Sequence, residues 1–150
     1  MGPVEPHVSV AEPSWAGPLR AADAALAQGN VQGAVRAWDV AHLAAAGSLQ
    51  WDGLIEVGDL YLRIGEAAGR RDTTVATSRR AYFAALFRAC QAESLEGILR
   101  VADAFARLGD AQIVEECLTL ARLQAADDDT ARARVADFVR ALAERGPRPP

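Results

Sequence analysis

Residues 98–125 read ILRVADAFARLGDAQIVEECLTLARLQA, and this stretch decides the fold. Leu95, Ile98, Leu99, Ala102, Phe105 and Ala106 fall at i, i+3, i+4, i+7 spacing, the apolar stripe of a helix packed along one side. Gly109-Asp110 then ends one helix and starts another. Glycine tolerates the left-handed residue that closes a helix, and aspartate accepts from the free amides of the next first turn. Past that turn Val114, Cys117, Leu118 and Ala121 resume the stripe. The stretch is a helical hairpin.

Working outward, Gly29-Asn30 and Gly47-Ser48 carry the same stop-and-start chemistry, Ser94 is a further N-cap, and Asp127 to Asp129 with Thr130 offer caps for a last helix. The spacing predicts seven helices, near 18–28, 31–46, 49–68, 74–92, 95–108, 111–126 and 130–145. Proline supports this. Pro3, Pro6, Pro13 and Pro18 lie at the start and Pro147, Pro149 and Pro150 at the end, with none from Leu19 to Gly146. A residue that removes an amide and clashes with the preceding turn is therefore missing from the whole interior. Ala, Leu, Arg and Glu, which lose little on entering a helix, dominate over the β-branched residues a sheet favours. The expected class is all-α, with residues 1–17 a flexible Pro-rich tail, 18–145 the domain and 146–150 a disordered tail. The last helix, with Val135, Phe138, Val139 and Leu142 on one narrow apolar face, reads as a terminal cap.

Aligned on Gly29, Gly65 and Gly109, the chain repeats itself. Seven residues before each glycine stands a small residue, Ala22, Gly58 or Ala102; four before stands Ala25, Tyr61 or Phe105. Small residues let two helices approach, and the bulkier residue a turn away fills the hollow. In LRAADAALAQGNVQGAVRAWDVAH (19–42), LIEVGDLYLRIGEAAG (54–69) and the 98–125 stretch, this pattern resembles the tetratricopeptide repeat family. The middle copy departs from it, since Glu66 follows Gly65 and the next stop is Gly69. The resemblance implies a short right-handed α-solenoid of about three antiparallel helix pairs plus the C-terminal capping helix. It also implies a partner in the concave groove lined by the first helix of each pair. Carried over by alignment, the groove positions are Leu19, Asp23 and Leu26; Asp52, Ile55, Asp59, Leu62 and Arg63; and Glu96, Leu99, Asp103 and Arg107. Members of the family that bind chaperones hold a terminal carboxylate with Lys and Asn. Here aspartates and apolar residues stand instead, which argues against that subclass. The plainest role of Asp59 with Arg63, and of Asp103 with Arg107, is an i, i+4 pair that solvates a helix face.

Composition narrows the function. The chain has 150 residues, a formal net charge of −4, and 16 basic residues that are all arginine. An acidic balance argues against a nucleic-acid partner, which is met by a basic stripe. No apolar run approaches the roughly 20 residues of a membrane span. The early prolines and the absence of Arg before Arg20 argue against a signal peptide, and a cytoplasmic location is expected. Cys90 and Cys117 fall in helical stripes as small hydrophobes. His7 lies in the tail, and His42 with Asp39 supplies at most two ligands where a metal site needs three or four. Asp127-Asp128-Asp129 lacks the later Gly and Glu of a calcium loop, and Gly65 to Gly69 reads as a helix end. Neither cofactor nor catalysis is indicated. The expected function is a non-catalytic adaptor that binds a protein or peptide. The alternative is a structural subunit that self-associates through its apolar end or through Trp38, Trp51, Tyr82 and Phe83.

Overall fold

The computed structural model describes Gly2 and residues 11–146. Most of the expected N-terminal tail, His7 included, and residues 147–150 lie outside the described residues. Those described form seven α-helices: α1 Ala16–Ala27, α2 Val31–Gly47, α3 Asp52–Ala67, α4 Arg71–Gln91, α5 Leu95–Leu108, α6 Ala111–Gln124 and α7 Asp129–Arg145. The class is all-α.

Several ends are made as their residues dictate. Asn30, Ser94 and Asp110 each accept from the amide three residues on, at 2.9, 3.0 and 3.3 Å. Asp128 accepts from Thr130 and Ala131 at the start of α7. Gly29, Gly69 and Gly109 take the left-handed turn conformation, as does Glu93, the single non-glycine among the described residues to do so. Three expectations need correction. Gly47 stays helical, and the Ser48 hydroxyl donates back to the Ala45 carbonyl at 2.8 Å instead of capping the next helix, so α3 begins at Asp52, not near 49. Helix α4 starts at Arg71, three residues before the expected 74. Trp15, assigned to the flexible tail, is 2% exposed. Its indole covers Gly53, where a Cβ would lie 2.6 Å from the ring. Residues 15–17 therefore belong to the folded unit, and Pro18 sits in the first turn of α1, where its missing amide costs nothing.

Each helix packs on the next in sequence, and α1, α3, α5 and α7 also pack on one another in that order. The core lies between this row and the second helices. It is filled by Leu54, Val57, Leu60, Tyr82, Ile98, Val101 and Phe105, and floored by the alanines of α2 and α4. Buried polar groups are paired. Trp38 Nε1 donates to the Val57 carbonyl at 2.7 Å, and Ser78 Oγ to the Gly58 carbonyl at 2.9 Å. Arg88 of α4 closes α2 from outside, donating to the Ala45 and Ala46 carbonyls at 2.9 and 2.6 Å and also to that of Ser48.

Candidate functional site

The row of odd-numbered helices presents a chain of charged side chains along one face. On α1, Asp23 meets Arg63 of α3 at 2.7 Å. On α3, Asp59 accepts from Tyr82 Oη of α4 at 2.5 Å and meets Arg107 of α5 at 3.3 Å. Arg107 also meets Asp103 at 3.4 Å, and Asp103 accepts from Arg145 of α7 at 2.6 Å. A second link joins Glu96 of α5 to Arg134 of α7 at 3.0 Å. Carboxylates and guanidinium groups thus alternate across four helices. The side chains in these pairs remain about a third to a half exposed. Pairs this wet add about 0–1 kcal/mol each to stability, so their main physical effect is to fix charge positions on an open face.

Between α1 and α3 the face dips into a cleft of about 320 Å³ lined by Leu19, Arg20, Asp23, Glu56, Asp59 and Arg63. Burial pushes the Glu56 carboxyl above its ordinary range. Burial and the neighbouring Asp59 carboxylate push the Tyr82 phenol far above its ordinary value, so it stays a donor.

The residues expected to line a groove divide in two. Asp23, Asp59, Arg63, Glu96, Asp103 and Arg107 are brought together as described. Leu19, Ile55 and Leu99 are 9%, 2% and 1% exposed and belong to the core. Ile55 and Leu99 follow the apolar stripe out of a partner's reach, and Leu19 shows only an edge at the cleft. Leu26 and Leu62 are half-buried against that core. Asp52 starts α3 and accepts from the adjacent Gly53 amide at 3.1 Å. The expected i, i+4 pair of Asp59 with Arg63 does not form, because each finds a partner on another helix; Asp103 with Arg107 does form. Sequence reasoning missed Glu56, Tyr82, Arg134 and Arg145. No local spacing reports Tyr82, Arg134 and Arg145, since their partners lie 23, 38 and 42 residues away in the chain.

The other singled-out residues have packing roles. His42 stacks on Trp38 with ring centroids 4.8 Å apart. Asp128 caps α7, and Asp129 pairs with Arg132. Trp38 and Tyr82, offered as self-association residues, are interior, and Trp51 is half-buried beneath the Arg100 guanidinium. Among the described residues no three His, Cys, Asp or Glu side chains gather as metal ligands, and no helix is long and apolar enough to cross a membrane. No family model, curated protein or solved structure matches the chain.

Proposed function

We propose that this chain is a non-catalytic protein-interaction module, a short right-handed α-solenoid of the tetratricopeptide type that holds a protein or peptide along the face of α1, α3, α5 and α7. The observation that carries the reading is the row of alternating charges, from Asp23–Arg63 through Asp59–Arg107–Asp103 to Arg145, which draws one surface from four separate helices. Sequential packing of the helix pairs supports the solenoid, since an array in which each unit contacts its neighbours gives an extended surface. A partner with its own alternating charges exchanges ion pairs with this face, so it gains orientation and association rate more than raw affinity. The test is capture from a lysate of the source organism with the full chain as bait, beside Asp23→Lys and Asp103→Lys baits. Partners should be lost from both variants and weaken with salt. Partners retained equally by all three baits contradict the reading.

One observation favours the alternative, self-association. Leu43, Phe87 and Leu123 are 73%, 64% and 70% exposed, one on each of α2, α4 and α6. Sedimentation of the wild type and Phe87→Ser at several concentrations separates the readings, because only self-association predicts a dimer that the variant loses.

A further inference from the structure

In this fold the second helix of a pair packs along its own first helix and reaches the preceding second helix through side chains. Helix α4 lies on α3, where Ser78 Oγ meets the Gly58 carbonyl, and reaches α2 through Arg88. Helix α6 packs on α5 and reaches α4, where Asp110 pairs with Arg79, and the turn after α4, where Gln124 donates to the Glu93 carbonyl at 3.3 Å. Helix α7 stands where the first helix of a next pair belongs. It packs on α5 and α6, touching α6 far more lightly than α5 touches α4. Among the described residues no helix covers the α6/α7 crevice, and α7 is only partly docked: Val135 alone of its residues is buried, where α3 and α5 each bury most of one face.

The crevice is an apolar groove running along both helices. One end is a hollow of about 520 Å³ with Ala125, Val135, Ala136 and Val139 as its floor and Arg122 and Arg132 at its rim. The other end, of about 610 Å³, is lined by Val114, Leu118, Val139 and Leu142 beside Glu115. Arg132 is shared with Asp129 and the Ala126 carbonyl; Arg122 has no ion pair among the described residues.

We propose that this groove takes an amphipathic helix of a partner protein, lying antiparallel to α7 in the place of the second helix of a fourth pair. The rim charges set its polarity. Antiparallel to α7, its C-terminal end meets Arg122 and Arg132, where acidic side chains and the negative end of the helix dipole are both favourable. Its N-terminal end meets Glu115 and is basic. An apolar stripe at i, i+3, i+4, i+7 faces the groove floor, with a small residue opposite Val139. This surface is separate from the ion-paired row and does not depend on that row binding anything.

The test uses two labelled synthetic helices about as long as α7 with the same apolar stripe. One carries Lys in its N-terminal half and Glu in its C-terminal half; the other carries the reverse. Fluorescence anisotropy against the full chain should show the first binding about tenfold tighter. Arg122→Glu should erase that preference. Ala136→Arg, which places a guanidinium in the groove from an exposed position, should abolish binding of both with an unchanged helical spectrum and melt. Equal binding of the two helices, no binding of either, or binding indifferent to Ala136→Arg overturns the proposal. A concentration-dependent dimer of the free chain that Ala136→Arg abolishes also overturns it and gives the groove to a second copy.

Discussion

Gly58 lets Tyr82 of α4 pack hard against α3: a Cβ on Gly58 would lie 2.6 Å from Tyr82 Cε1. The missing side chain lets the ring lie against α3, where its hydroxyl reaches Asp59 at 2.5 Å. Gly58→Leu must therefore push the two helices apart, at about 1–3 kcal/mol or more for overpacking a close-packed core. Thermal denaturation should show a clearly lowered melting temperature. An unchanged one would mean that the α3/α4 interface is not packed this way.

Tyr82→Phe isolates the hydroxyl from the ring. Asp59 keeps Arg107 as a partner, so the loss should be about 0.5–1.5 kcal/mol, that of one hydrogen bond. Urea titration of the two proteins reads it, and a loss near that of Gly58→Leu would assign the hydroxyl a larger role than the geometry gives it.

Much of this packing was legible in the sequence. The small residues Ala22, Gly58 and Ala102, one turn from Ala25, Tyr61 and Phe105, are a local pattern, and Asn30, Ser94 and Asp110 cap through bonds three residues long. What escaped depends on distant partners. Nothing near Gly47-Ser48 shows that Arg88 will take the α2 carbonyls, or that Trp15 will cover Gly53. Half of the expected face was likewise visible as charge spacing. Arg63 chose Asp23 over Asp59 because α1 and α3 lie side by side.

Acid should reveal the Asp110 pair. The hydrogen bond from Arg79 holds the Asp110 carboxyl below its ordinary 3.8, and the Ile113 amide adds to the effect. A carboxyl with a lower pKa when folded than unfolded contributes stability that is complete above its unfolded value and is lost as pH falls through its folded value. Asp110→Asn keeps a cap acceptor and removes the charge, so its stability should fall less than the wild type's when urea titrations go from about pH 6 to about pH 3. Parallel falls would contradict the pairing.

The two thiols should differ under labelling. Cys117 is buried, and burial pushes its thiol up to about 12; Cys90 is half-buried, and its thiol is also raised by burial. Only the thiolate attacks a disulfide reagent, so near pH 8 Cys90 should react slowly in the native protein and Cys117 only on unfolding. Equal native rates would place Cys117 nearer solvent. Since the folded pKa of Cys117 lies above its unfolded 9.0, its contribution to stability is complete below about pH 9 and declines as pH rises toward 12.

Loss of α7 should expose apolar surface on α5 and α6. Phe138 and Val139 pack against the core, so Phe138→Asp carries a charge into an apolar contact and should undock the helix. Light scattering should show self-association for this variant and for a chain ending after Asp128. Monomeric variants with unaltered melts would make α7 a free arm.

The central claim is that a partner lies along the row of α1, α3, α5 and α7. Photo-crosslinking tests it most directly, with the reactive group at Leu62, a half-buried position beside Arg63 on α3, in one protein and at Leu43, 73% exposed on α2, in another. Bound partner should crosslink from position 62 and not from position 43. Crosslinks from 43 alone would contradict the account and move the binding surface to the second helices.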